Sequence, residues 1–165
     1  MASALNSVLA ALVIFRRGDQ VWLARRTNTR WGDGMYETPG GHALVDESPH
    51  AAAIREMQEE VGVTIKPQDL VLAGMAVFDY LNGKTKELSK CINFYYVVSQ
   101  WEGEISMQEP DKSTAGQWYD LDALPSPILP HVAEALQAVR SNQFFCNIGT
   151  CQQDRSDTMN QSFQP

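Results

Sequence analysis

Apolar and polar positions alternate in a way that places strands on both sides of a helix-forming middle. Residues 7 to 16 hold the run Val8-Leu9-Ala10-Ala11-Leu12-Val13-Ile14-Phe15, which reads as a buried strand. The run is too short to span a membrane, and Arg16-Arg17 follow it where an export signal would carry small residues. Residues 20 to 26 form a second strand, with Gly18-Asp19 as a hairpin turn between the two. Residues 27 to 34 are polar and glycine-bearing, so they form a loop, and a short strand from Met35 to Thr38 leads into the turn Pro39-Gly40-Gly41. Further strands are expected over Asp69 to Tyr80 and Cys91 to Trp101, around the turn Leu81-Asn82-Gly83-Lys84, and over Gln117 to Asp120. Leu124-Pro125-Ser126-Pro127 breaks the chain before a helical pattern from Pro130 to Arg140, and no internal repeat is present.

The middle segment carries the chemistry. Ser48 is a helix cap, Pro49 is tolerated at the first helical position, and His50 to Val61 contains no breaker. Gly62 is placed to end the helix in a left-handed cap. On that helix Glu56, Glu59 and Glu60 fall on one face, while Ala53, Ile54, Met57 and Val61 form a face for packing on a sheet. Three carboxylates so close repel one another unless a cation neutralises them. Carboxylates favour hard divalent ions, Mg²⁺ or Mn²⁺, whose remaining ligands are typically phosphate oxygens. The chemistry that follows is a metal-dependent attack on a phosphorus–oxygen bond. Arg55 can pair bidentately with Glu47 or Glu59 and hold the preceding loop against the helix. The competing reading of the segment is an ordinary solvated acidic helix.

Composition narrows the partners. The 165 residues are 44% hydrophobic and 20% charged, ordinary for a soluble globular domain. A net charge of −7 argues against a nucleic-acid polymer as partner, although local Arg or Lys residues and metals can still bind a small anionic nucleotide. No membrane association is expected, the cytoplasm is the default compartment, and a homodimer is left open. Cys91, Cys146 and Cys151 have no zinc-site spacing and are expected as reduced thiols. Residues 141 to 165 are rich in Gln, Asn, Ser and Asp and read as a mobile tail whose first part docks through Phe144 and Phe145.

Residues 41 to 63 match the pattern G-x5-E-x7-R-E-U-x-E-E-x-G-U, where U is aliphatic, through Gly41, Glu47, Arg55, Glu56, Met57, Glu59, Glu60, Gly62 and Val63. The segment resembles the Nudix box, and the resemblance extends over residues 6 to 140, closest in kind to the compact MutT-like nucleoside triphosphate pyrophosphohydrolases. It implies an α+β fold, a mixed sheet packed between helices as an α-β-α sandwich. It also implies Mg²⁺-dependent cleavage, with Mn²⁺ as substitute, of a nucleoside diphosphate-linked substrate, an NTP or dNTP giving the monophosphate and pyrophosphate. Dinucleoside polyphosphates, ADP-ribose and coenzyme A are alternative substrates, and a non-catalytic nucleotide-sensing module is a further reading.

By the same resemblance Glu56, Glu59 and Glu60 are metal ligands, joined by the Gly40 carbonyl, while Gly41, Glu47, Arg55 and Gly62 support them. Glu109 stands where relatives carry a further glutamate that binds metal or activates water, so Glu59 or Glu109 is the general base. Arg26, or Arg25 in its place, is the candidate phosphate contact. Trp31 and Tyr80 are candidate stacking partners for a base, as are Phe78 and Trp118. Asp46 and Thr38 depart from the family's usual residues. The segment Pro125 to Pro130 lacks the asparagine that reads oxidised guanine in antimutator members. The spacing from Val63 to Tyr80 resembles that of diadenosine polyphosphate hydrolases, and Leu23-Ala24-Arg25-Arg26-Thr27 resembles coenzyme A diphosphatases.

Overall fold

The computed structural model describes residues 7–81 and 88–148, apart from the side chains of Tyr80, Leu81, Leu88 and Ile148. One mixed sheet is covered on opposite faces by two helices. Its centre is β1 (Ser7–Arg17), buried without interruption from Ala10 to Phe15. Alternate side chains serve different cores, so a strand with helices on both sides needs apolar residues at every position. Ala10, Leu12 and Ile14 join one core, and Ala11, Val13 and Phe15 the other.

After the Gly18 turn, at φ 59°, β2 (Gln20–Arg25) pairs with β1 only at Arg16–Val21 and Arg17–Gln20. It then diverges to pair with β3 (Tyr36–Glu37) and with the later strand β7 (Gln117–Asp120). The edge of β1 that β2 leaves is taken by β4 (Gly40–His42), which pairs at Ala10 to Leu12. The segment from Tyr36 to His42 therefore bridges β2 and β1. β6 (Leu88–Val98) runs parallel to β1 and antiparallel to β5 (Leu70–Leu81), whose register shifts between Leu72 and Gly74. β8 (Phe145–Ile148) adds parallel to β5 at Gly74 to Val77.

Two of these strands differ from the sequence expectation. β4 was expected as a turn, because glycine carries no strand propensity; its backbone pairs with β1 all the same. β8 lies within the polar tail, where Phe145 packs on the core and Phe144 stays 58% exposed. The approach is close: a Cβ at Gly74 would fall 2.5 Å from that of Phe145. The expected turn at Leu81 to Lys84 and the tail beyond residue 148, with Cys151, lie outside the described residues, apart from the backbone of Leu81.

Helix α1 (Pro49–Val61) begins and ends where its signals stand. Ser48 Oγ accepts a hydrogen bond from the Ala51 amide at 3.2 Å, and Gly62 adopts φ 73°. It buries Ala52, Ala53, Met57 and Val61 against β1 and β4, with Ile54 at the margin. Helix α2 (Pro130–Arg140) covers the other face beside β5 and β8. Among the described residues no helix is long and apolar enough to cross a membrane.

The α2 core contains a buried polar row. Cys91 Sγ donates to Asn93 Oδ1, Asn93 Nδ2 donates to Tyr95 Oη at 3.3 Å, and Tyr95 Oη lies 2.7 Å from His131 Nδ1. The His131 ring stacks with Trp31 and with Phe78, each at 5.7 Å between centroids. Burial, helped by the positive charge of Arg26, lowers the His131 pKa to about 4. A histidine whose folded pKa lies below its unfolded value contributes stability above about pH 6.5 and loses it as pH falls towards the folded pKa. Between pH 7 and pH 5 the wild type should lose about 2 kcal/mol more stability than a His131→Gln variant. Urea unfolding at both pH values measures this difference, and groups common to both proteins cancel.

Candidate active site

The loop between β4 and α1 is held down by one side chain. Arg55 Nε and Nη2 donate to the two oxygens of Glu47 at 2.9 and 2.8 Å. Nη1 donates to Glu56 at 2.8 Å and Glu59 at 3.0 Å, and Nη2 also reaches the His42 carbonyl at 3.0 Å. Glu47 accepts as well from the Leu44 amide at 3.0 Å. The Arg55 guanidinium first, then that amide, hold the Glu47 carboxyl down to about 2.

Glu60 points elsewhere. Its Oε2 accepts from the Gly40 amide at 2.9 Å, and it lines a pocket of about 330 Å³ with Ala24, Arg26, Glu37, Gly40, Glu109 and Lys112. Burial pushes the Glu60 carboxyl up to about 7 against the Gly40 amide, with the charges of Glu56, Glu37 and Glu109 adding to the push. Glu109 arrives there because the chain before it caps α1. The Ser106 and Gln108 amides donate to the Val61 and Glu60 carbonyls, which have no partner within the helix.

Glu56, Glu59 and Glu60 therefore divide between two partners, with Glu56 still near enough to Glu60 for its charge to act there. Glu56 and Glu59 turn to Arg55, and Glu60 turns into the pocket. Among the described residues no three His, Cys, Asp or Glu groups stand together as a ready metal cage. Arg26 lines the pocket, yet its Nη1 pairs with Glu37 at 2.5 Å and its Nε donates to the Trp31 carbonyl at 3.0 Å. Arg25 is not among the lining residues, and its Nε donates to the Gly34 carbonyl at 2.7 Å. Trp31 is also absent from the lining; its ring stacks on His131 and lies 5.6 Å from the Arg26 guanidinium. The Tyr80 side chain lies outside the described residues.

Sequence reasoning missed Glu37 and Lys112. Glu37 is held by burial above the usual carboxylate range despite Arg26, and no local spacing signals a pair made across β2 and β3. Lys112 had a weak signal: it follows Glu109 at i+3 in a turn and bonds it at 2.8 Å.

Residues 6–140 match the NUDIX domain family, and the chain belongs to that family. A NAD-capped RNA hydrolase NudC of Pseudomonas aeruginosa is 32% identical over 114 residues, 69% of this chain. The match covers 36% of that relative, so the chain spans little more than a third of its length. The 8-oxo-dGTP diphosphatase of Escherichia coli is 28% identical over 130 residues, 79% of this chain and 92% of that enzyme. In fold, the chain is similar to a MutT NUDIX hydrolase from Burkholderia pseudomallei, with TM-score 0.69, 25% identity, and coverage of 81% of this chain and 98% of that one.

The family implies a divalent metal, and the residues present fit one. Glu60 is bonded to the Gly40 amide, and the Glu56 carboxyl lies against Gly41, where a Cβ would fall 2.3 Å from its Cδ. Two hard donors thus lie at consecutive glycines, beside a pocket that Glu37, Glu60 and Glu109 line, which suits a hard cation. The two glycines predict different outcomes. At Gly40 a Cβ would meet the Ala11 carbonyl oxygen at 2.2 Å, so Gly40→Ala should cost more than about 2 kcal/mol of stability. At Gly41 the obstacle is the far end of the flexible Glu56 side chain. Gly41→Ala should stay within about 1 kcal/mol of wild type yet weaken Mn²⁺ binding roughly tenfold or more. Thermal melts with Mn²⁺ titration by calorimetry read both.

Proposed function

We propose that the chain hydrolyses a pyrophosphate bond in a nucleoside diphosphate-linked substrate, an NTP or dNTP, to the monophosphate and pyrophosphate. The observation that carries this reading is the pocket in which Glu60 and Glu109 adjoin the Gly40–Gly41 segment of an intact box. Glu56 and Glu60, with Glu59 and the Gly40 carbonyl as further donors, would hold Mg²⁺. Bound there, Mg²⁺ would neutralise phosphate charge and acidify a water.

The residues of the chain then divide the work. Glu109 lines the pocket and takes the proton of the attacking water as a phosphorus–oxygen bond breaks and pyrophosphate departs. Glu59 is the weaker base candidate, because its carboxylate is bonded to Arg55 outside the pocket lining. Glu47 and Arg55 fix the loop, and the buried Arg26–Glu37 pair shapes the pocket wall.

A dinucleotide joined through pyrophosphate is the second reading, favoured by the 32% identity to the NAD-capped RNA hydrolase. ADP-ribose, coenzyme A and dinucleoside polyphosphates belong to the same chemical class. A sensing module without turnover has less support, since every box carboxylate is present.

Product release should be measured with and without Mg²⁺ across NTPs, dNTPs, oxidised dGTP, NADH, ADP-ribose, coenzyme A and diadenosine polyphosphates. Metal-dependent turnover of one class is expected, reduced at least ~100-fold in Glu60→Gln and in Glu109→Gln. Full turnover by a folded Glu60→Gln protein would refute the assignment.

A further inference from the structure

Two cationic side chains line the pocket, Arg26 and Lys112, and they differ in what they are free to do. Arg26 is committed. It pairs with Glu37 at 2.5 Å, with both side chains about four-fifths covered, donates to the Trp31 carbonyl, and lies against the Trp31 ring. Drawing it off Glu37 would leave a largely covered carboxylate unpaired, which is unfavourable. Arg25 anchors the loop through Gly34 and lies off the pocket. Both arginines are thus placed by bonds to the strand and loop around them.

Lys112 has the opposite character. Among the described residues its ammonium has one partner, Glu109 Oε1 at 2.8 Å, and the lysine side chain is 67% exposed. Exposed pairs of this kind contribute little and exchange readily. The backbone beneath it is fixed. The Lys112 carbonyl accepts from the Thr27 amide at 2.9 Å, and the Thr114 amide donates to the Arg25 carbonyl at 2.8 Å. Ser113 Oγ donates to the same Arg25 carbonyl at 3.2 Å, and Asn28 Nδ2 donates to the Asp111 carbonyl at 3.0 Å. An exposed, lightly held ammonium therefore stands on a hydrogen-bonded mount at the pocket edge. With Arg26 and Glu37 cancelling, it is the positive charge left to oppose Glu60 and Glu109.

We infer that Lys112 is a phosphate-binding cation of this site, exchanging Glu109 for a non-reacting phosphate oxygen of the bound substrate. The exchange also frees the Glu109 carboxylate at the moment substrate arrives. The inference rests on the hydrolytic reading for its substrate class, but its test does not depend on turnover.

Inorganic pyrophosphate binding should be measured by calorimetry in the presence of MgCl₂ for the wild type, Lys112→Met and Lys112→Arg, with Mn²⁺ binding measured beside it. Pyrophosphate affinity should fall about tenfold in Lys112→Met and recover to within about threefold in Lys112→Arg, the size of one charge-assisted hydrogen bond. Mn²⁺ affinity in Lys112→Met should hold or rise, because a cation beside the carboxylates has been removed. Equal pyrophosphate binding by all three proteins would overturn the inference, as would no measurable binding by the wild type. A parallel loss of pyrophosphate and Mn²⁺ would overturn it too, showing a lysine that only props Glu109. Lysine-dependent pyrophosphate binding without turnover of any nucleotide would instead refute hydrolysis and leave Lys112 in its role.

Discussion

The site depends on the way Arg55 distributes its five donors. A guanidinium has five N–H groups in a fixed plane, and here two go to Glu47, one to Glu56, one to Glu59 and one to the His42 carbonyl. Those acceptors belong to the end of β4, the loop after it and the helix that follows. One side chain thereby closes a loop, orients a helix against a strand and compensates three carboxylates. A lysine has three donors about a point charge and could not reproduce the planar fork on Glu47 while also reaching the helix and β4.

Because Arg55 compensates one group of carboxylates, the negative charge that remains is concentrated in the pocket. Glu47 is held well below the usual carboxylate range, whereas buried Glu60, facing Glu56, Glu37 and Glu109, is pushed up to about 7. The contrast arises from position: Glu47 faces the guanidinium, and Glu60 is buried with only the Gly40 amide to hold its charge. A site with one carboxylate reluctant to ionise and others near it gains most from a hard cation, which restores the charged form and draws the oxygens together.

Signals that act within a few residues are legible in the sequence, whereas those that depend on distant partners are not. Ser48 and Gly62 bound α1 because caps act within a few residues, and the unbroken run of β1 betrays burial on both faces. The box marks the family from sequence alone, and residues 6–140 match it. The arrangement of its carboxylates was less legible. Helical spacing placed Glu56, Glu59 and Glu60 on one face, but it could not foresee that Arg55 would draw two of them aside. β4 escaped notice because its strand character lies in backbone pairing with Ala10 to Leu12, to which glycine side chains contribute nothing. β8 was hidden in a polar tail, since its reason for forming is the space beside Gly74. The pairing of Arg26 with Glu37 is not legible in the sequence, because Glu37 arrives from another strand.

That last pairing gives the pocket two unlike walls. On one side the Arg26–Glu37 pair is buried, and Arg26 continues through the Trp31 carbonyl and ring to His131 and the α2 core. A buried pair, once formed, is costly to break from either partner, so this wall resists adjustment to different ligands. On the other side the Glu109–Lys112 pair is exposed, and its members can part at little cost. The conformation of loop 27–34 is tied to the first wall, because both arginines bond it, through Trp31 and Gly34. A substitution in the loop would thus act on the wall built around Arg26, whereas one at Lys112 would alter the charge balance facing Glu60 and Glu109.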